Sequence, residues 1–229
     1  MERTVEEGNK RRKEKSARRA VFLDRDGVLA EEVGHLHRVE DLKVIEGAPE
    51  ALRILKELGY ALIIVTNQGG IAKGMYGEED FWNVTEELQR RLGVRFDGVY
   101  FCPHHPEGSI EHLRMECRCR KPSPGMILNA CEEHKLDPGK SWLIGDHVKD
   151  IQAARRAGVW RTILVMTGYG KDMLRRYVEG EVSLTSETPH YFAQDILFAA
   201  KFIRLVEEKG DPIEVAQAQK SEVRKRAKL

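Results

Sequence analysis

"AVFLDRDGV", residues 20–28, decides how the rest of the chain is read. Four apolar residues run without alternation into Asp24, Asp26 follows two positions later, and Gly27 lets the backbone turn sharply. A continuous apolar run suits a strand covered on both faces. Two carboxylates at i and i+2 on an extended chain lie on one side of it. There one can attack an electrophile while the other carries a proton. Alone the pattern is weak, because Asp and Gly also make ordinary turns.

Working outward, strand and helix patterns alternate. "GAPEALRILKELG" (47–59) predicts a helix with Pro49 in its first turn and Gly59 at its stop. "YALIIVTN" (60–67) predicts a second buried strand, and "GEEDFWNVTEELQRRLG" (77–93) a helix. "FDGVYFC", "KSWLIGD" and "RTILVM" predict three more strands, separated by the helical segments "SPGMILNACEEHKL" and "HVKDIQAARRAG". "PHYFAQDILFAAKFIRLVEEKG" (189–210) predicts a closing helix, and little fixed structure is expected beyond Asp211. This order implies an α/β fold, a parallel sheet with helices on both faces. The gaps between motifs are too short for a large cap domain. The chain divides into a basic extension at 1–19, a folded domain at 20–208 with a surface insertion at about 168–189, and a basic tail at 209–229.

Composition narrows the function classes. The chain has 229 residues, 41% hydrophobic and 33% charged, with formal net charge +1. That near-neutral balance gives no global field for nucleic acid or membrane. The basic runs "RRKEKSARR" and "EVRKRAKL" read as solvated ends. No apolar run is long enough to span a bilayer, and the first twenty residues lack the apolar centre of a signal peptide. A cytoplasmic protein with reduced thiols is expected.

In such sheets ligands bind beyond the carboxyl ends of the strands. The second strand ends in Thr66 and Asn67, whose hydroxyl and amide suit phosphate oxygens. Lys121 precedes Pro122 after the third strand and can neutralise phosphate charge. Asp146 ends the fourth strand and adds a third carboxylate, and oxygen donors around one point suit Mg²⁺.

The ordered set "DRDGV", "TNQ", "CRKP" and "IGDHVKD" resembles the haloacid dehalogenase (HAD) superfamily of phosphatases, which implies a Rossmann-like sheet. "TNQGGIAKG", "FDGVYFCPHHPEG" and "CRCRKPSPGM" are most similar to the D-glycero-D-manno-heptose 1,7-bisphosphate 7-phosphatases, relatives of the histidinol-phosphate phosphatases. The resemblance implies Asp24 as the nucleophile that becomes an aspartyl phosphate, Asp26 as acid and base, and Thr66 and Lys121 around the transferring phosphoryl group. It places catalytic Mg²⁺ on Asp24, the main-chain carbonyl of Asp26, and Asp146. Substrate contacts are expected from Glu32, Val33, Gly34 and His35, from Asn67, Gln68, Gly69 and Lys73, and from Arg120. The chain departs from the family pattern at His147, where a basic residue is usual, and at "EVGH" (32–35).

Three of the four cysteines lie between Tyr100 and Met126. Cys102, His104, Cys117 and Cys119 read C-x-H, a twelve-residue loop, then C-x-C, which suits tetrahedral Zn²⁺. Four ligands leave no open position, so this zinc would be structural and would order the loop at 102–119. His105 is the rival ligand; free or catalytic thiols are the other readings. A small sugar phosphate is the expected substrate. Histidinol phosphate and a polynucleotide 3′-phosphate are alternatives of the same chemistry, and a non-catalytic zinc-organised nucleic-acid-binding module is the remote one. No membrane or nucleic-acid partner is expected, and a site complete within one chain makes a monomer the default.

Overall fold

A computed structural model describes residues 17–181, 188–215 and 217. Most of the two basic ends lies outside the described residues. The strands β1 (Ala20–Leu23), β2 (Ala61–Asn67), β3 (Gly98–Cys102), β4 (Trp142–Gly145), β5 (Arg161–Val165) and β6 (Tyr191–Ala193) form a parallel sheet in the order β3-β2-β1-β4-β5-β6. Between them run α1 (Ala48–Glu57), α2 (Gly69–Ala72), α3 (Glu78–Leu92), α4 (Gly125–His134), α5 (Val148–Arg156) and α6 (Gly170–Val178), and α7 (Ile196–Lys209) closes the order.

The unbroken apolar runs serve both faces of the sheet. Val21, Leu23, Leu62, Ile64, Trp142 and Ile144 pack with residues of α1, α3 and α7. Ala20, Phe22, Ile63, Val65 and Leu143 point the other way, onto α4, α5 and Met173 of α6. Each large apolar side chain removed from water in this way contributes roughly 1.5–3 kcal/mol. Trp142, fully buried, keeps its indole N–H satisfied on Tyr60 Oη at 3.1 Å. Tyr60 in turn donates to Glu207 of α7 at 2.5 Å.

Three expectations change. The segment 189–210 is not one helix: β6 pairs with β5 in register Ile163↔Tyr191 to Val165↔Ala193, and Asp195 then caps α7 by accepting from Phe198 N at 2.9 Å. The alternation break is invisible in "YFAQDILF", because strand and helix are both apolar there. Second, the stretch read as a surface insertion contains α6, the crossover between β5 and β6; its residues 182–187 lie outside the described residues. Third, order continues past the boundaries read from sequence. Asp211 is buried and accepts from Arg161 Nε at 2.7 Å, Tyr191 Oη at 2.8 Å and Ile213 N at 2.7 Å. At the other end Arg19 reaches Glu207 at 2.7 Å. Among the described residues no separate cap domain covers the carboxyl edge of the sheet.

Candidate active site

β1 lies between β2 and β4, where the strand order reverses, so the ends of these three strands open into one crevice. A cleft of about 280 Å³ there is lined by Asp24 and Asp26 after β1, Thr66 and Asn67 at the end of β2, Arg120 and Lys121 ahead of α4, and Asp146 after β4. Glu32, Gly34, His147, Lys149, Asp150 and Tyr169 complete the wall.

Lys121 is the centre of its charge balance. The buried ammonium contacts Asp24 Oδ2 at 3.0 Å and Asp150 Oδ1 at 2.6 Å, and donates to the Val65 carbonyl at 2.9 Å. All three of its hydrogens are therefore directed. Burial pulls the ammonium pKa down, but Asp150 and Asp24 outweigh it and hold the group charged. The main chain of Lys121 is fixed by Asn67, which donates to its carbonyl at 3.0 Å and accepts from its N–H at 2.9 Å. Asn67 therefore both lines the cleft and seats the lysine.

Burial pushes the Asp24 carboxyl up to about 7 against the pull of Lys121, with Asp150 and Asp26 adding to the rise. Asp146 is pushed up to about 9 by burial, then by Asp24 and Asp150. One carboxylate oxygen from each of Asp24, Asp146 and Asp150 lies within 4.8 Å of the others. Three ionised carboxylates against one ammonium leave two negative charges, which a divalent cation would neutralise. The donors are all oxygen, as Mg²⁺ requires. Space is reserved beside them: a Cβ on Gly27 or Gly168 would stand 2.1 or 2.0 Å from Asp146 Oδ2. Asp150 also accepts from His147 N at 3.0 Å, so both its oxygens are engaged within the protein.

The second cluster is equally compact. Cys119 Sγ lies 3.1 Å from Cys117 Sγ and 3.2 Å from Cys102 Sγ, and His104 Nδ1 lies 3.3 Å from Cys119 Sγ. A tetrahedral site with ~2.3 Å metal–sulfur bonds has edges of about 3.8 Å, so a bound ion would spread these separations by about half an ångström. The Cys119 thiol is brought down to about 5, chiefly by its hydrogen-bonded contact with Cys102 and against its burial, with Cys117 and His104 adding. The same contact raises Cys102. Thiols that share protons this closely can exchange them for a metal ion. His105 turns away and accepts from Glu107 N at 3.1 Å, so His104 is the histidine of the cluster.

The family model for haloacid dehalogenase-like hydrolases matches residues 2–158, and a HAD-hydrolase-like model matches residues 118–199. The chain belongs to the haloacid dehalogenase-like hydrolases. Over 152 residues it is 47% identical to D-glycero-beta-D-manno-heptose-1,7-bisphosphate 7-phosphatase of Yersinia pestis, covering 65% of this chain and 81% of that protein. It is 45% identical to the protein of the same name from Escherichia coli strain K12, covering 65% and 80%. A solved D,D-heptose 1,7-bisphosphate phosphatase from B. bronchiseptica, complexed with magnesium and phosphate, superposes with a TM-score of 0.70 at 27% identity, covering 83% of this chain and 99% of that one.

Within this hydrolase the residues read from sequence separate into two groups. Asp24, Asp26, Thr66, Asn67, Arg120, Lys121, Asp146, Glu32 and Gly34 meet in the cleft. Val33, His35, Gln68, Gly69 and Lys73 do not line it. Val33 is exposed, and Lys73 lies near His35 and His105, lowering the pKa of both beyond the effect of their burial. Gly69 is buried where a Cβ would come within 3.0 Å of Arg120, so it leaves room for that side chain. Gln68 is buried beneath the cleft floor. Sequence reading missed Asp150, Lys149 and Tyr169. Asp150 stands one helical turn after Asp146, a spacing that would have flagged it. Tyr169 follows β5, where the strand-end rule applies equally.

Proposed function

We propose that the chain is a magnesium-dependent phosphomonoesterase that removes the 7-phosphate of D-glycero-D-manno-heptose 1,7-bisphosphate. The observation that carries the reading is the convergence of Asp24, Asp26, Thr66, Lys121 and Asp146 on one cleft, in a chain 47% identical to a protein of that name. The names of the relatives specify the beta anomer, which is the anomer proposed here.

Asp24 attacks phosphorus through a carboxylate oxygen. The bond from phosphorus to the sugar oxygen breaks, and its electron pair stays on that oxygen, which takes a proton from Asp26. Asp26, now a carboxylate, accepts a proton from water as the water oxygen attacks phosphorus. Asp24 is freed and inorganic phosphate leaves. Lys121 and the Thr66 hydroxyl offset the charge gathering on the phosphoryl oxygens. Asp24, the main-chain carbonyl of Asp26 and Asp146 would hold magnesium, which would supply positive charge against the repulsion between carboxylate and phosphate. Asp150 orients Lys121. Arg120 and Lys149, also in the wall, are the cations available to the second phosphate. Cys102, His104, Cys117 and Cys119 would hold a structural zinc, which would order the segment that leads directly into Arg120 and Lys121.

The test is phosphate release with Mg²⁺ from both anomers of the bisphosphate, from histidinol phosphate and from a 3′-phosphorylated oligonucleotide, with Asp24→Asn as blank. Fastest turnover of the beta anomer, abolished in the variant, is expected. Preferential turnover of either other substrate would replace the sugar reading while keeping the chemistry.

A further inference from the structure

Asp26 is held from below by side chains that never reach the cleft. Arg25, fully buried, donates from Nε to Asp26 Oδ1 at 2.9 Å and from Nη2 to Oδ2 at 3.0 Å. Gln68 Nε2 donates to the same Oδ2 at 3.0 Å and to Thr66 Oγ1 at 2.9 Å. Gln68 Oε1 accepts from Tyr76 Oη at 2.7 Å and from Arg25 Nη2 at 3.3 Å. Arg25 Nη2 also donates to the Leu36 carbonyl at 3.0 Å. With Asp26 ionised, its carboxylate can only accept, so Nε2 faces Asp26 and Oε1 faces Tyr76 and Arg25. Tyr76 is left as a donor to Oε1.

The consequence concerns a single proton. Each carboxylate oxygen has two lone pairs. Those of Asp26 Oδ2 are both taken, by Arg25 and Gln68. Among the described residues Oδ1 accepts only from Arg25 Nε, and it keeps one lone pair. Thr66 Oγ1, accepting from Gln68, is likewise left to direct its own hydrogen elsewhere, and Thr66 lines the cleft. We infer that Gln68, clamped by Tyr76, is a positioning residue that confines the catalytic proton to Oδ1 of Asp26. The clamp is built into the local sequence. Tyr76 is buried and stacks on His37 with centroids 5.1 Å apart. A Cβ on Gly70 would stand 2.2 Å from the Tyr76 ring, so only glycine there lets the ring reach Gln68.

This inference rests on Asp26 being the general acid, and a leaving-group comparison separates the two ideas. A sugar phosphate needs a proton on its departing oxygen, whereas p-nitrophenyl phosphate releases a stable phenolate without one. Tyr76→Phe keeps the ring and removes only the donor to Gln68. It is expected to lower kcat/KM for the bisphosphate roughly 5- to 10-fold, the worth of one hydrogen bond, and to leave kcat/KM for p-nitrophenyl phosphate nearly unchanged. Gln68→Leu is expected to deepen the same asymmetry. Thermal melting of each variant controls for folding. Equal losses on both substrates, or no loss on either, would overturn the clamp. Asp26→Asn run alongside tests the underlying reading. If it too shows no leaving-group asymmetry, the acid assignment fails; if it does and Tyr76→Phe does not, only the clamp fails.

Discussion

Replacing Lys121 with methionine takes the ammonium away from Asp24 and Asp150 while keeping most of the stem's volume. The ammonium is buried and contacts two carboxylates, at 3.0 and 2.6 Å, and a carbonyl at 2.9 Å. Removing one partner of a buried pair costs about 3–5 kcal/mol. Two carboxylates are stranded here, so the upper end is expected in metal-free protein at pH 8. For a domain of this size that corresponds to a fall in Tm of roughly 10–20 °C. The pH dependence has a definite sign. Asp24 and Asp146 are held up by burial, to about 7 and about 9, so the folded form binds their protons more tightly than the unfolded chain does. Their protonation therefore stabilises the folded state as pH falls, and the penalty of the substitution shrinks toward pH 6. Turnover is expected to drop roughly 100- to 1,000-fold at saturating Mg²⁺. Melting curves at pH 6 and 8, with and without Mg²⁺, measure all of this except turnover. A metal-free Tm within ~2 °C of the parent at pH 8, or a larger loss at pH 6 than at pH 8, would refute the charge-balance argument.

Gly168→Ala places a Cβ 2.0 Å from Asp146 Oδ2 at φ +53°, so the carboxylate must turn away; the Mg²⁺ concentration for half-maximal activity is expected to rise about tenfold, equivalent to ~1.4 kcal/mol. Cys119→Ser opens the four-ligand cluster, and zinc content measured by atomic emission is expected to fall together with activity, while calorimetry still registers Mg²⁺ binding. Burial, with Arg155 and Arg161 nearby, holds His190 down to about 4 from its ordinary 6.5, while its ring accepts from Thr162 N at 2.9 Å. Its contribution to stability is complete above pH 6.5 and lost as pH falls toward 4; His190→Gln is expected to flatten that limb of the Tm–pH curve, and an unchanged limb would refute it.

The first five strands were legible because each is a short, largely apolar run, and a parallel sheet concentrates its chemistry just beyond the ends of such runs. Asp24, Thr66 and Asp146 are found by that rule alone, and Lys121 by its place ahead of a helix. What escaped obeys other physics. β6 is three residues long and merges into the apolar start of α7, so its identity comes from pairing with β5. Gln68 carries the polar chemistry of a substrate contact, and only its burial reassigns it to holding Asp26. Val33, His35 and Lys73 lie in the right segments, but the rule that finds a segment does not say which side chains face inward. Asp150 reads equally well as a helix-capping residue, and it is one, while also gripping Lys121.

The adjacency of β1 and β4 bears on how the molecule is made. Residues 21–23 pair with residues 142–144, so one flank of β1 stays unpaired until most of the chain has left the ribosome. Contacts between residues so far apart in sequence are slow to form. Until then a nascent chain offers an apolar strand edge of the kind that invites association with other chains. Asp24, the proposed nucleophile, is synthesised early and acquires Asp146 and Asp150 only at that late step. A chain stalled or cleaved before β4 would therefore be both inactive and a ready client for chaperones.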